Sequence, residues 1–327
     1  MCERLVVLHR GNRPPTTDRI ERLADTVYAT EEELPYLLPG ADVLLAWVTS
    51  TPAIREAWPD DPEKAPRWVH ASSAGVDSCL FPALVDDPRV VLTNARGVYE
   101  QPTAEYVLGM ILALAKDFPG TWEHQRRREW RPRPSDGITG RTALVWGTGP
   151  TGRAIARLLR AVGMRVYGAG REARTDDPDF GTVHSARTLR HALTEADYVV
   201  LAAPLTEDTR GMVDASVLAA MKPGARLINV GRGGLVDEEA LVDHLAAGRL
   251  AGAALDVFAQ EPLLAESPLW NMPGVMISPH TAGETTGERE ALVDLFLDNF
   301  ARHKEGRPLR NVVDKRRGYV VDDTRPA

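Results

Sequence analysis

Three ionisable residues in the second half of the 327-residue chain are of the types that move a proton beside an anionic substrate. They are Arg232 in Asn-Val-Gly-Arg-Gly-Gly, Glu261 in Asp-Val-Phe-Ala-Gln-Glu-Pro and His280 in Ser-Pro-His-Thr-Ala-Gly. Singly, each has a bland explanation: Arg232 and Glu261 as surface charges, His280 as a hydrogen-bonded loop histidine. Together they supply what reduction of a 2-oxo acid requires. That is a cation for the substrate carboxylate and carbonyl, a proton donor that works near neutral pH, and a carboxylate that keeps the donor protonated. Strands are expected at 225–230, 251–257 and 275–277. Arg232, Asp256, Glu261 and His280 therefore fall at or beyond carboxyl ends of strands, the edge where parallel sheets hold ligands.

Such a reduction consumes a hydride, and the chain has a place for its carrier. A short apolar strand, Ala143 to Trp146, breaks into Gly147-Thr148-Gly149-Pro150-Thr151-Gly152, and an amphipathic helical pattern follows from Ile155. Gly147 allows the tight turn, Gly149 lets backbone approach a pyrophosphate, and Gly152 lets the helix pack closely on the strand. The helix N-terminus then offers N–H groups to phosphate. The same spacing also occurs in packing turns that bind nothing; the strand-to-helix setting is what favours a dinucleotide. Pro150 has no N–H to offer, although proline suits the first helical position, and the Thr151 hydroxyl is an alternative donor.

The next turn carries the cofactor choice. Where NAD-binding folds place a carboxylate for the ribose hydroxyls, this chain has Gly170, then Arg171, with Arg174 close by. A guanidinium grips a phosphate through paired hydrogen bonds, so the turn points to NADP. Glu172, one position on, keeps NAD open.

Composition sets the frame. Apolar residues make up 43% and charged residues 26%, as in an ordinary globular protein, and the length allows two domains. A net charge of −7 gives no general attraction for nucleic acid or anionic membrane. The basic stretch Gln125 to Arg133 reads as a solvated connector. Two cysteines, Cys2 and Cys79, make no disulfide framework, which implies a cytoplasmic setting. The N-terminal apolar run is too short for a signal peptide and reads as a first strand, and no stretch approaches membrane-spanning length.

In chain order, strands are expected at 4–9, 42–48, 67–70 and 89–92, with a helical pattern at 19–26. This is an α/β domain of its own. After two of these strands come the small loops Ser72-Ser-Ala-Gly-Val-Asp77 and Asn94-Ala-Arg-Gly-Val-Tyr-Glu100. Backbone N–H groups near Ala74 and Gly75 offer a cradle for a carboxylate, although either loop alone reads equally as a tight turn. A very apolar helix from Pro102 to about Ala115 is expected at a domain boundary or subunit contact. Further on, the pattern gives a helix ending near Glu195, a strand at 197–202, and a last helix at 288–303.

The glycine run, Ala203-Pro204-Leu205, Asn229-Val230-Gly231-Arg232-Gly233, Ala254-Leu-Asp-Val-Phe258, Glu261-Pro-Leu and Pro279-His-Thr-Ala-Gly283 occur in the order seen in D-isomer-specific 2-hydroxyacid dehydrogenases. The chain resembles that family over nearly its whole length. The resemblance implies two doubly wound parallel-sheet α/β domains, a Rossmann NAD(P)-binding domain (102–283) inserted in a flavodoxin-like substrate domain (1–101 and 284–327), with the active site in the cleft. It implies that His280 is the acid/base, Glu261 its partner, and Arg232 the residue that orients the oxo acid. The carboxylate falls to the backbone of Ser73, Ala74 and Gly75. Asp256 and the Val230 carbonyl are similar to groups that hold the nicotinamide carboxamide, and Thr209 to one near its ribose. The neighbouring Ala203, Pro204, Gly231 and Gly283 join the cofactor set. A homodimer through the Rossmann lobe is implied as well.

Pro150-Thr151 and Gly170-Arg171 depart from the family's usual residues, and these departures bear on NAD, not on the fold. The expectation is an NADP-preferring reductase of small oxo acids such as glyoxylate or hydroxypyruvate, its side-chain pocket drawing on Trp47 and Tyr99. Two alternatives stand beside it: a phosphite- or formate-type dehydrogenase, and a dinucleotide-sensing binding protein without turnover. Glu261 argues against formate, for which the resemblance implies glutamine.

Overall fold

A computed structural model describes residues 3–321. The chain forms two compact units, one built from residues up to Tyr99 together with those from Thr285 on, the other from Glu100 to Glu284. Cys2 lies outside the described residues; Cys79 is buried with a free thiol.

In the first unit the chain runs β1 (Arg4–Leu8), α1 (Thr17–Glu21), β2 (Asp25–Ala29), α2 (Leu34–Leu37), β3 (Val43–Ala46), α3 (Ala53–Glu56), β4 (Trp68–Ala71), α4 (Pro82–Asp86) and β5 (Val91–Thr93). The five strands form one parallel sheet in the order β2-β1-β3-β4-β5, the doubly wound flavodoxin-like arrangement. Nearly continuous apolar runs such as Leu5-Val-Val-Leu8 are buried on both faces, as a helix-covered parallel sheet demands. The helical pattern expected at 19–26 stops short. Its helix ends at Glu21, and Asp25–Ala29 pairs with β1 instead, because Val27 and Tyr28 are strand formers that fit beside an apolar neighbour.

The second unit runs α5 (Glu100–Ala115), α6 (Phe118–Arg127), β6 (Thr142–Trp146), α7 (Pro150–Ala161), β7 (Arg165–Ala169), β8 (Arg174–Asp177), β9 (Gly181–His184), α8 (Leu189–Glu195), β10 (Tyr198–Leu201), α9 (Ala215–Ala220), β11 (Arg226–Asn229), α10 (Glu238–Ala246), β12 (Gly252–Leu255) and β13 (Val275–Ile277). Its sheet order is β13-β12-β11-β10-β6-β7-β9-β8, parallel except for β8 at the edge. This is a Rossmann sheet whose order reverses between β6 and β10, the switch point where dinucleotides bind. Helix α5 is apolar for a local reason: Ala104, Val107 and Ile111 pack with Ala154, Ile155 and Leu159 of α7 in one core cluster. The expected connector at 125–133 starts as the last turn of α6, and beyond it the chain is exposed.

The chain returns to the first unit as α11 (Glu288–Lys304), followed by a small ribbon of β14 (Val313–Asp314) and β15 (Tyr319–Val320). Phe296 of α11 stacks on Trp68, ring centroids 5.5 Å apart, and Phe300 joins the same core. Lys315 Nζ donates to the carbonyls of Leu84, Asp87 and Val90 at 3.0, 2.6 and 2.8 Å, fastening the returning segment to the end of α4.

The β8–β9 hairpin, which the sequence pattern does not announce, is pinned to α7 by a partly buried ionic cluster. Arg153 of α7 meets both oxygens of Asp177 at 3.0 Å and Asp179 at 2.6 Å, and Arg174 Nε reaches Asp177 at 2.7 Å. Burial would raise the Asp177 carboxyl, but hydrogen bonds from the two guanidinium groups hold it well below the usual carboxylate range. Removing Asp177 leaves Arg174 Nε without its carboxylate and Arg153 with Asp179 alone, in a partly buried setting. Asp177→Ala is therefore expected to cost about 3 kcal/mol. Urea unfolding followed by circular dichroism checks this; a midpoint equal to wild type would contradict the cluster's role.

Candidate active site

The glycine turn after β6 has the shape that a dinucleotide needs. Gly147 sits at φ 126°, and a Cβ there would lie 2.5 Å from the Ala202 carbonyl carbon, so only glycine lets β6 and the end of β10 approach. A Cβ on Gly152 would lie 1.8 Å from the Gly147 carbonyl oxygen, which explains how tightly α7 seats on the turn. Gly149 is the N-cap of α7 with Pro150 at its first position, and a Cβ on Gly149 would meet no neighbouring segment within 4 Å. Thr148 and Thr151 flank this mouth; a Cβ on Gly170, at the end of β7, would come within 3.1 Å of Thr148 Oγ1. The Ala203–Thr209 segment beyond β10 is closed on itself: Thr209 Oγ1 donates to Pro204 O at 2.7 Å and accepts from Thr206 N at 2.8 Å. The residues present thus fit a nicotinamide dinucleotide.

Beyond β11, β12 and β13 the three ionisable residues come together. His280 Nδ1 donates to Glu261 Oε2 at 2.8 Å, and Glu261 Oε1 accepts the Phe258 N–H at 3.0 Å, so the carboxylate is oriented from both sides. The Arg232 loop presses on the Glu261 loop: a Cβ on Gly233 would lie 1.8 Å from the Phe258 carbonyl carbon. Arg232 Nη1 donates to Gly231 O at 2.8 Å, and Asn229 Nδ2 donates to Arg232 O at 3.0 Å. Gly231 itself lies against Ala203, whose carbonyl oxygen a Cβ would approach to 2.9 Å. Val230, directly before it in the chain, donates its N–H to Leu201 O at 3.2 Å.

Asp256 builds the turn that presents His280. It is 1% exposed; Oδ1 accepts from Ser278 Oγ at 2.6 Å and Thr281 N at 2.9 Å, Oδ2 from Ala282 N at 2.9 Å, and its carbonyl from His280 N at 2.8 Å. The turn holds His280 at φ 57°, left-handed and uncommon outside glycine. Gly283 follows that turn.

The hydrogen bond to Glu261 lifts the His280 imidazolium above its ordinary range, against an opposing contribution from burial and from Arg232. Burial would raise the Glu261 carboxyl, yet its bonds to His280 and to the Phe258 N–H hold it below the ordinary value. Both shifts favour a charged pair. The Nε2 side of a partly exposed, protonated imidazole is thereby a proton donor around neutral pH.

In the first unit the Ser72–Gly75 loop is held by its carbonyls. Tyr99 OH donates to Ser72 O at 2.8 Å, Ala95 N to Ser73 O at 3.0 Å, Asn94 Nδ2 to Ala74 O at 2.6 Å, and Ser73 Oγ to Gly75 O at 2.6 Å. Among the described residues none of the Ser73, Ala74 and Gly75 N–H groups donates a hydrogen bond. Successive N–H groups of this kind form an anion nest. Asn94 and Asn311 were invisible as supports in the sequence; Asn311 Nδ2 donates to Asn94 O at 3.2 Å and Arg96 O at 2.6 Å from far along the chain.

Residues 108–282 match the model of the D-isomer specific 2-hydroxyacid dehydrogenase NAD binding domain. The chain belongs to the D-isomer-specific 2-hydroxyacid dehydrogenase family. A glyoxylate reductase of Thermococcus kodakarensis is 34% identical over 236 residues, 69% of this chain and 70% of that one. The (S)-sulfolactate dehydrogenase of Chromohalobacter salexigens is 37% identical over 236 residues, 72% and 74% of the two chains. Among solved structures, an NADPH-dependent glyoxylate/hydroxypyruvate reductase of Sinorhizobium meliloti in complex with NADP and sulfate is similar at TM-score 0.81 and 29% identity, covering 97% of this chain and 100% of that one. This 2-hydroxyacid dehydrogenase is thus an NAD(P)-dependent oxidoreductase of small hydroxy and oxo acids. No helix among its described residues is long and apolar enough to cross a membrane.

The pair makes a prediction with a sign. A donor lifted by its partner stays protonated, and active in the reducing direction, to higher pH than a free imidazole, and activity falls as pH rises through the lifted value. Glu261→Gln removes the lift. The basic limb of the kcat/KM profile for oxo-acid reduction is then expected to move to lower pH. An unmoved limb would detach Glu261 from the proton donor.

Proposed function

We propose that this dehydrogenase reduces a small 2-oxo acid of the glyoxylate or hydroxypyruvate type, with NADPH preferred over NADH. The observation that carries the proton chemistry is the 2.8 Å bond between His280 and Glu261 in a loop cluster shared with Arg232. The activities of the Thermococcus and Sinorhizobium relatives support the substrate class.

When bound, the nicotinamide supplies the hydride. His280 Nε2 gives a proton to the carbonyl oxygen, and Glu261 stabilises the imidazolium until transfer. Arg232 draws the carbonyl and carboxylate oxygens and stabilises charge that grows on the carbonyl. Ser73, Ala74 and Gly75 N–H groups take the substrate carboxylate. Asp256 and the Val230 carbonyl orient the carboxamide, the remaining acceptor capacity of Asp256 Oδ2 serving there, and Thr209 lies with the ribose. Gly147 through Gly152 seat the pyrophosphate.

Preference for NADP rests on the turn after β7. Gly170 has no carboxylate, Arg171 follows it, and Arg174 is held by Asp177 three residues on. Substrate-domain boundaries at 1–101 and 284–327 around a dinucleotide domain of 102–283 belong to the same reading, as do a cytoplasmic setting and a homodimer through the dinucleotide-binding unit. For the dimer, exposed Phe118, Trp122 and Trp130 on and after α6 supply apolar surface in that unit.

Steady-state oxidation of NADPH with a panel of oxo acids tests the proposal. Glyoxylate and hydroxypyruvate are expected to turn over, and His280→Gln to cut kcat by about 10²–10⁴-fold with NADPH affinity near wild type. Tight nucleotide binding with no turnover on any oxo acid would leave a dinucleotide-sensing protein in place of the enzyme.

A further inference from the structure

The loop between β12 and Glu261 is held by a second carboxylate, one that no step of the mechanism uses. Glu238 is the first residue of α10, and its Oε1 accepts the Ala259 N–H at 2.5 Å. Ala259 directly follows Phe258, whose own N–H holds Glu261 Oε1 at 3.0 Å. Two successive backbone donors of one loop thus end on two carboxylates. One belongs to the proton-donating pair, the other to the segment that carries Arg232.

Helix α10 does not need Glu238 for its own sake. Asp237 is its N-cap, with Oδ1 accepting the Ala240 N–H at 3.1 Å. Glu239, exposed in the same first turn, brings the same favourable charge to the helix N-terminus. What Glu238 adds is a link across the site. From Arg232 to Glu238 the chain is tied down along its length: Leu235 N donates to Arg232 O at 3.2 Å and Val236 N to Gly233 O at 3.0 Å, while Val213 takes the Asp237 N–H at 3.0 Å and gives its own to Leu235 O at 2.9 Å. Gly233, within that stretch, rests on the peptide between Phe258 and Ala259; a Cβ there would lie 2.3 Å from the Ala259 nitrogen. Such a contact brings the two segments together without orienting them. A charge-assisted N–H···O bond orients them.

We infer that Glu238 is a positioning residue for the proton donor: it fixes the peptide plane between Phe258 and Ala259, and so holds the turn in which the Phe258 N–H faces Glu261 Oε1. The inference rests on the reading of His280 and Glu261 given above and adds what sets that pair relative to Arg232. The charged groups that bear on His280 are Glu261, Asp256 and Arg232, and those that bear on Glu261 are His280 and Arg232. Glu238 acts through the backbone between them, as outer partners do when they orient a working group.

The titration midpoint of the His280 ring, followed by NMR on the full chain, reads this role without turnover. Glu238 is half-buried and leaves the Asp237 cap in place, so its variants are expected to fold. Glu238→Ala is expected to lower the midpoint by about half a pH unit, in the same direction as Glu261→Gln but by less. Glu238→Gln keeps an acceptor for Ala259 and is expected to restore the wild-type value; Glu239→Ala is expected to leave it unchanged. A midpoint that Glu261→Gln lowers and Glu238→Ala does not would overturn this inference alone. Equal shifts in Glu238→Gln and Glu238→Ala, or a matching shift in Glu239→Ala, would also overturn it, because Glu238 would then be a distant charge. A midpoint that Glu261→Gln leaves unmoved would remove the proton-donor reading and the inference together.

Discussion

In the proposed mechanism the chemistry of this dehydrogenase depends on one contact, a hydrogen bond from the His280 imidazole to a carboxylate that is itself anchored by a backbone N–H. An imidazole donates protons well near neutrality only if something holds it charged, and that something must not swing away. Glu261 meets both conditions because the Phe258 N–H fixes its other oxygen. The remaining constraint is the direction of the ring. Buried Asp256 ties Ser278, Thr281 and Ala282 into a turn and takes the His280 N–H on its own carbonyl, which forces His280 into a left-handed backbone. Strain of about 1 kcal/mol at such a residue persists only where surrounding bonds over-determine it.

The cofactor edge is built on the same plan, with charge in place of a turn. Glycines at 147 and 152 let three backbone segments approach more closely than any side chain would allow. Next to them, Arg153, Asp177, Asp179 and Arg174 lock an edge hairpin against α7. Buried ion pairs add little net stability, but they fix geometry once formed. Here they fix the Arg174 guanidinium against Asp177.

The candidate site was more legible in the sequence than the contacts that support it. Strand ends could be read because parallel strands are continuous apolar runs, so Arg232, Glu261 and His280 fell at the ligand edge by counting alone. The glycine turn could be read because its spacing is local. The β8–β9 hairpin could not: Arg174-Thr-Asp-Asp177 has no strand-like apolar alternation, and what makes it a strand is a partner in α7, 21 residues before Arg174 in the sequence. Arg174 was legible as a cation but not as a member of an ionic cluster. Asp256 was legible as a polar residue at a strand end, whereas its part in shaping the His280 turn needs three donors placed 22 to 26 residues further along. The helical reading of 19–26 failed because a strand's neighbour, not its periodicity, settled Asp25–Ala29.

The central claim is that Glu261 keeps His280 protonated, with Nδ1 committed to the carboxylate and Nε2 left to serve the substrate. Titration of the histidine side chains by NMR, on protein labelled with ¹⁵N at the imidazole and assigned with His280→Gln, reads this directly. The account predicts a His280 resonance that titrates above the range of the exposed histidines and keeps Nδ1 protonated throughout. A His280 that loses its proton at or below the ordinary imidazole range, or that carries its neutral-state proton on Nε2, would contradict it.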